Sequence, residues 1–172
     1  MRKYDLDLEE DFVYSARPIS GKENELDRLE IAKVWCENKK SDGCIRFDVL
    51  NSQGRYVRFT TPTLDALIPE SNEKLSQWKT KNFYFYEITN FKDELFIQLY
   101  FYCKNISAEM KSAFIHLSDI LGLGELPNGY KRYFLSSAFK NKDDDSQETV
   151  IQQLDSLFEE VREFEATIAE RW

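Results

Sequence analysis

Histidine, glycine and proline are scarce in this chain of 172 residues, which contains one histidine, six glycines and four prolines. The single histidine, His116, lies beside the apolar stripe of a predicted helix and has no second histidine to work with. This argues against a histidine-based metal site and a catalytic triad, and places His116 at a helix surface or boundary. The nucleotide-binding motif GxGxxG and the P-loop are also missing from the sequence, which excludes nucleotide chemistry of those kinds.

Cysteine and long apolar runs are equally sparse. The three cysteines form an odd set without CxxC spacing, and Cys36 and Cys103 fall in apolar patterns that are typical of ordinary buried thiols. The acidic N-terminal stretch has no hydrophobic signal core, and no apolar run approaches the length of a membrane span. We therefore predict a soluble protein of the cytoplasm that does not enter a membrane.

Negative charge is concentrated at the two ends of the chain, whose net charge is −8. Of the 23 basic and 31 acidic residues, residues 1–30 carry five and nine, and residues 141–172 carry three and ten. Fifteen and twelve remain for residues 31–140, so the central part is slightly basic. This distribution leaves room for a basic surface on a central sheet.

The most strongly patterned stretch is WKTKNFYFYEITNFKDELFIQLYFY, residues 78–102. Aromatic and branched residues alternate at period two over 83–90 and again over 95–102, which predicts two antiparallel strands joined by a polar turn at 90–94. If Thr89 pairs with Leu95, Glu87 lies opposite Ile97 among apolar side chains, a costly position for a carboxylate. Glu87 is therefore a candidate site residue. The alternatives are a bulge that turns it outward, or a structural pair with a lysine or arginine.

The rest of the chain predicts further strands, with helices before and after them along the sequence. Residues 1–22 are expected to form an acidic arm or to be partly disordered, and residues 23–172 a single α+β domain. The predicted elements are a helix over 23–40, a hairpin over 44–61, a helical turn over 61–70, a helix from Ser107 to Gly122, a strand over 130–139 and a long amphipathic helix over 146–172. The hairpin needs a loop of odd length or a bulge, which Gly54 could supply. In the hairpin, Phe47 is expected to pair with Phe59 or Val57. The fold class is thus a mostly antiparallel sheet of about five strands with packed helices.

Carboxylate chemistry with Mg²⁺ would need no histidine, but the sequence offers little for it. The only (D/E)xK matches begin at Glu37 and Glu109, and both fall on predicted helices. On the strand, Glu87-Ile88-Thr89 has threonine where lysine is needed to position or activate water. We therefore predict no catalytic residue, no metal site and no cofactor.

Basic residues next to aromatic ones form a further constellation. They are Arg46, Arg55 and Arg58 on the first hairpin, Lys79 and Lys81 beside Trp78, and Lys131 and Arg132 between Tyr130 and Tyr133. If they converge, they could hold phosphates while the aromatic rings stack on bases. The alternative is a solvated sheet face with buried tyrosines.

The C-terminal helix also leaves two interpretations open. Its apolar stripe packs across its own sheet, or it forms a seam with a partner or with a second copy of the chain. Its end of the chain carries ten acidic residues, which argues against contact with nucleic acid there.

One stretch resembles a known family. The segments RFTTPTLDALIPE, SQWKTKNFYFYEITN and LFIQLYFYCKNI are similar to the C-terminal region that follows the nuclease core in some bacterial PD-(D/E)XK nuclease-family proteins. The shared features are an RxTT-like strand, a turn of the form D-x-(I/L/F)-(I/L)-P, a tryptophan followed by lysine, and a YFYEI.N strand. Gln77 stands where the family has a glycine, and residues 1–54 are too short for the nuclease core. The resemblance therefore implies an accessory module without its enzyme.

These observations predict a non-catalytic protein-binding module, and the resemblance adds the setting of a regulator or inhibitor in bacterial or phage nucleic-acid conflict. The first alternative is binding of nucleic acid or nucleotides through a basic aromatic sheet face, and the second is a divergent Mg²⁺-dependent nuclease centred on Glu87. The expected binding residues are Trp78, Lys79, Lys81, Tyr84, Tyr86, Glu87, Arg46, Arg58, Lys131 and Arg132.

Overall fold

The computed structural model describes residues 26–52, 54–75 and 80–172. The predicted α+β class is confirmed in this part of the chain, where four helices accompany six strands. The elements in chain order are α1 (Arg28–Ser41), β1 (Arg46–Asp48), a short 3₁₀ turn (Val49–Asn51), β2 (Tyr56–Thr60), α2 (Pro62–Leu67), β3 (Tyr84–Phe91), β4 (Glu94–Tyr102), α3 (Ala108–Leu121), β5 (Tyr130–Leu135), β6 (Phe139–Lys140) and α4 (Gln147–Arg171). The acidic arm predicted over residues 1–22 lies outside the described residues.

Helix limits follow the capping residues that the sequence supplies. The side chain of Ser107 accepts a hydrogen bond from the Met110 backbone N–H at the start of α3, and Gly122 ends that helix in the left-handed conformation with φ of 67°. Ser146 caps α4 in the same way, with Thr149 N–H as the donor. The predicted start and end of α3 are therefore confirmed.

The strands form one antiparallel sheet in the order β1-β2-β3-β4-β5. The short strand β6 also pairs with β4, at Glu94 and Leu95, whereas β5 pairs with residues 98–102 of β4. Consecutive strands are neighbours because each connection returns the chain beside the strand it has just left. In the first hairpin Phe47 lies opposite Phe59, as predicted. The sheet therefore brings β2, β3 and β4 to its centre, where side chains on both faces are most easily buried.

The register of the central hairpin differs from the prediction. Thr89 lies opposite Phe96, so Glu87 faces Gln98 and not Ile97. The reason is the turn, which consists of two residues only, Lys92 and Asp93, both in the left-handed region with φ of 50° and 59°. A two-residue turn of this kind matches the twist of the flanking strands and fixes their register. The observed register thus differs from the predicted one by one residue, and Glu87 lies opposite the polar Gln98 instead of the apolar Ile97.

The helices α1, α3 and α4 pack against one face of the sheet, which we call the helix-covered face. Its sheet residues include Val57, Phe59, Tyr84, Tyr86, Ile88, Ile97, Leu99 and Phe101, and they share a core with Trp35, Phe114 and Leu157 of the helices. Because side chains alternate along a strand, the residues between them point to the opposite side, which we call the second face. Its residues include Arg58, Phe85, Glu87, Gln98, Tyr100 and Arg132.

The apolar stripe of α4 is buried against other residues of the same chain. Its buried residues Val150, Leu154, Leu157, Phe158, Val161 and Ile168 all belong to the core on the helix-covered face. Of the two interpretations, packing across its own sheet is confirmed, and the stripe is not available as a homodimer seam. None of the helices in the described ranges is both long and apolar enough to cross a membrane.

Candidate functional site

Two of the residues predicted to form a binding surface lie in the core. Tyr84 and Tyr86 on β3 point to the helix-covered face and are 0% exposed. Their hydroxyl groups donate hydrogen bonds to carboxylates, Tyr84 to the partly buried Asp65 at 2.6 Å and Tyr86 to the buried Glu165 at 2.9 Å. Their rings build the core, so they do not form the exposed binding surface that was expected, although Tyr84 also lines the cleft between the β1–β2 hairpin and the segment before β3.

Asp65 is the centre of the first polar network. It lies in the first turn of α2 and accepts hydrogen bonds from Tyr84, from Thr60 Oγ1 at 3.2 Å and from Asn82 Nδ2 at 3.3 Å. Arg46 NH1 of β1 pairs with its Oδ2 at 3.3 Å. Burial, with the charge of Asp65 beside it, raises the pKa of Tyr84 well above its ordinary value. The network ties α2 to three strands at one corner of the sheet.

Glu165 is the centre of the second network, and sequence reasoning missed it. It lies in α4, is only 4% exposed, and accepts hydrogen bonds from the hydroxyl groups of Thr61 and Tyr86. Burial raises the pKa of Glu165 above its ordinary value of 4.5, and the hydrogen bonds from Thr61 and Tyr86 offset part of that shift. The available signal was its spacing, since Glu165 follows Val161 by four residues and precedes Ile168 by three, within the buried stripe of the helix.

Glu87 is buried on the second face and is paired there. Its Oε2 lies 3.1 Å from Arg58 Nε, and its Oε1 accepts hydrogen bonds from Gln98 Nε2 and Thr89 Oγ1, both at 3.1 Å. Arg132 NH1 in turn donates to Gln98 Oε1 at 3.1 Å. The alternative that Glu87 forms a structural pair with a basic residue is confirmed. Together Arg58, Glu87, Gln98 and Arg132 form a row of polar contacts across four strands, which we call the polar ladder.

The hydrogen bonds that the Glu87 carboxylate accepts bear on the nuclease hypothesis. Both of its oxygens accept hydrogen bonds from the chain's own side chains, a different role from that of a Mg²⁺ ligand. Within the described ranges no group of three or more histidine, cysteine or acidic side chains is arranged to hold a metal ion. The geometry thus offers no support for metal-assisted cleavage centred on Glu87.

Aromatic rings surround the arginine of the ladder. The Arg58 guanidinium carbon lies 4.1 Å from the centre of the Tyr56 ring and 4.3 Å from that of Phe85. Phe85 stacks on Tyr100 with their ring centres 5.5 Å apart. Basic and aromatic groups do converge on this face, as the sequence suggested, but Phe85 and Tyr100 are only 6% and 9% exposed. These two rings are therefore not open platforms for bases to stack on.

Lys131 and Arg132 do not act on one surface. Arg132 lies opposite Tyr100 and belongs to the second face, whereas Lys131 lies opposite Phe101, whose ring is in the core. Lys131 is exposed at the sheet edge, with its Nζ 5.3 Å from the centre of the Tyr133 ring. Arg132 therefore shares the second face with Arg58 of the first hairpin, whereas Lys131 does not, because adjacent residues of a strand point to opposite faces.

Three of the predicted basic residues do come together. Arg46, Arg58 and Lys81 line a cleft of about 250 Å³ on the second face, between the β1–β2 hairpin and the segment that leads into β3. Leu50 lies at the same cleft and is 80% exposed. Trp78 and Lys79, which precede Lys81, lie outside the described residues.

The two arginines of the cleft form ion pairs with acidic side chains of the described residues, whereas its lysine does not. Arg46 pairs with Glu70 at 2.8 Å as well as with Asp65, and Arg58 pairs with Glu87. Lys81 is exposed, and within the described part of the chain no acidic side chain forms an ion pair with it. The cleft therefore offers the Lys81 charge to an incoming group, and it is also lined by the exposed Leu50 side chain and by the carboxylate of Asp48, which accepts hydrogen bonds from Asn51.

Comparisons with known protein families, with curated proteins and with solved structures find no match for this chain.

Proposed function

We propose that this chain is a non-catalytic protein-binding module whose cleft receives an acidic segment of a partner protein. The observation that carries the proposal is that the exposed Lys81 and the exposed Leu50 line the same cleft. A carboxylate next to an apolar side chain on the partner matches both. The proposal replaces the expected contribution of Tyr84 and Tyr86 with that of residues at the mouth of the cleft.

The chemistry of the cleft favours recognition over reaction. Its arginines form ion pairs with Glu70, Asp65 and Glu87, which fix the positions of the arginine side chains. A single exposed apolar side chain costs little, but an apolar side chain and a lysine charge that line one cleft can both be contacted by one peptide segment. Such contacts give orientation through charge and affinity through the buried apolar group.

The setting of the proposal comes from the resemblance to the region that follows the core of PD-(D/E)XK nucleases. On that basis we propose a regulator or inhibitor in bacterial or phage nucleic-acid conflict, which acts by contact with a protein and works in the cytoplasm.

The test is a pull-down from native cells with four tagged proteins that circular dichroism shows to be folded. These are the wild type, the cleft variant Leu50→Ser with Lys81→Glu, and two controls. The control Val34→Ser removes an apolar side chain that is 54% exposed on α1, and Lys74→Glu reverses an exposed lysine that does not line the cleft. We expect one protein to be retained by the wild type and both controls in nuclease-treated lysate, and to be lost from the cleft variant.

A synthetic peptide scan of the retained protein completes the test. The peptide that binds the purified wild type should contain aspartate or glutamate beside an apolar residue, and Lys81→Glu should weaken it at least tenfold. The proposal fails if the cleft variant retains the same partner as the wild type. It also fails if every partner is lost on nuclease treatment, which would instead indicate the nucleic-acid alternative and predict strong dependence on salt.

A further inference from the structure

Glu70 is a carboxylate of the chain itself that already lines the cleft proposed to receive an acidic segment. Its Oε1 lies 2.8 Å from Arg46 NH1, and the Glu70 and Arg46 side chains are 40% and 59% exposed. Within the described ranges Glu70 forms an ion pair with Arg46 and with no other basic side chain. One cationic group of the cleft is therefore occupied by an acid of the same chain.

A backbone contact places Glu70 beside the other cationic group of the cleft mouth. The Ser71 N–H donates a hydrogen bond to the Lys81 carbonyl oxygen at 2.8 Å, so the chain around Glu70 runs next to the segment that carries Lys81. The Glu70 carboxylate nevertheless pairs with Arg46 of β1 and not with Lys81. A carboxylate that enters from a partner thus meets an exposed lysine and an arginine that is already paired.

Arg46 has a second acidic partner that holds it in place if Glu70 leaves. Its NH1 lies 3.3 Å from Asp65 Oδ2, and the Asp65 side chain is only 13% exposed. Asp65 also accepts hydrogen bonds from Tyr84 and Asn82, so its position is fixed by the fold. The exposed pair of Arg46 with Glu70 has no such support, and an exposed ion pair contributes little free energy. Another carboxylate can therefore replace Glu70 at a low cost.

We propose that Glu70 competes with the partner's carboxylate for Arg46, and that binding of the acidic segment replaces the Arg46–Glu70 pair with contacts from Arg46 and Lys81 to that segment. This inference rests on the proposed function, to which it adds Arg46 as a second basic contact and Glu70 as a residue that weakens binding. A neutral segment cannot replace Glu70 without removing a counter-charge from Arg46. The exchange therefore favours acidic partners over neutral ones.

The test is a binding titration of the full chain with a capped peptide of alternating glutamate and leucine as the probe. Its dissociation constant and its contact residues are measured by NMR with the wild type, Glu70→Gln, Arg46→Gln and the double variant that combines them. The matched control is Glu73→Gln, which removes an exposed carboxylate three residues away that does not line the cleft. The spectra also show whether each variant is folded.

We expect Glu70→Gln to tighten binding about two- to fivefold, the range that corresponds to one exposed ion pair, and Arg46→Gln to weaken it. In the Arg46→Gln background the Glu70 substitution should gain no more than Glu73→Gln does, because no guanidinium is left to compete for. An equal gain in both backgrounds would overturn the proposal in favour of general charge repulsion. A gain no larger than that of the control would overturn it as well.

The same titration separates this inference from the proposed function. Peptide-induced shifts at Leu50 and Asn82 that disappear in Lys81→Glu, together with no effect of Glu70→Gln, would reject the competition and leave the proposed function standing. Absence of binding at the cleft in both the wild type and Glu70→Gln would reject both.

Discussion

Arg58 and Glu87 form an ion pair across β2 and β3 in which both side chains are withdrawn from water. The Arg58 Nε lies 3.1 Å from the Glu87 Oε2, and the two side chains are 7% and 10% exposed. The two residues lie directly opposite each other in the register of the strands. A pair in this position satisfies its own charges but makes each partner dependent on the other.

Removing one charge of this pair should destabilise the fold strongly. Glu87→Gln leaves the Arg58 guanidinium buried without its counter-charge, and we expect a loss of about 3 kcal/mol in the free energy of unfolding, measured by urea denaturation. Replacing both partners by apolar residues, Arg58→Met with Glu87→Leu, should recover most of the loss. The control is Glu30→Gln, which breaks an exposed pair with Lys33 and should cost at most about 1 kcal/mol. Equal effects of the two single substitutions would contradict the prediction.

Glu165→Gln should stabilise the protein increasingly as pH rises. Burial raises the pKa of Glu165, so the folded protein binds this proton more tightly than the unfolded chain does. The resulting stability is complete below the ordinary pKa of 4.5 and is lost as pH rises through the higher pKa of the folded state. Glutamine cannot ionise and keeps an oxygen to accept from Thr61 and Tyr86.

The measurement is the difference in free energy of unfolding between Glu165→Gln and the wild type from pH 4 to pH 8. The matched control is Glu163→Gln, two residues away on the exposed side of α4, which should show no comparable trend. A difference that stays constant over this pH range would rule out a raised pKa at Glu165.

The three thiols should react at very different rates. Burial raises the pKa of Cys103 to about 12 and that of Cys36 further, whereas Cys44 is half-buried, with its Sγ 3.5 Å from Arg162 NH2. Because the thiolate is the reactive form, Ellman's reagent at pH 8 should label one thiol rapidly in the folded protein and three in urea. Cys44→Ser should abolish the rapid reaction. Labelling of Cys36 as fast as that of Cys44 would contradict the buried position of Cys36 in α1.

The β3–β4 turn offers a stabilising change. Lys92 and Asp93 both adopt left-handed backbone conformations, which asparagine and glycine adopt at lower cost. The double substitution Lys92→Asn with Asp93→Gly should therefore raise the free energy of unfolding by about 1 kcal/mol. Asp143→Gly, in an exposed turn where φ is not positive, should give no gain. A double variant no more stable than the wild type would show that the turn is already relaxed.

Much of the fold could be predicted because its signals are local. The alternation over β3 and β4 identified both strands, and Ser107, Gly122 and Ser146 marked helix limits through hydrogen bonds that a residue makes with its immediate neighbours. The pairing of Phe47 with Phe59 was one of the two registers predicted, since pairing with Phe59 or with Val57 keeps the apolar sides together.

The candidate site was harder to predict because it depends on register and on distant contacts. Lys92-Asp93 lacks the glycine or asparagine that usually marks a two-residue turn, and the resulting slip of one residue hid the contact between Glu87 and Gln98. Tyr84 and Tyr86 could face either side of a strand whose two faces are both apolar. Glu165 could not be distinguished by charge alone within an acidic helix, since its partners lie far away in the sequence.

The position of Glu165 near the end of α4 also limits how early the fold can be completed during synthesis on the ribosome. Its partners Thr61 and Tyr86 precede it by 104 and 79 residues, so their hydroxyl groups find this acceptor only after nearly all of α4 has left the exit tunnel. Until then the helix-covered face of the nascent sheet lacks the carboxylate that accepts from Tyr86 and the last buried residue of the apolar stripe, Ile168. Contacts so distant in sequence slow folding, and the exposed sheet of the growing chain is the kind of surface that chaperones bind. Synthesis interrupted shortly before residue 165 should therefore yield a chain that aggregates, although all of its strands are already present.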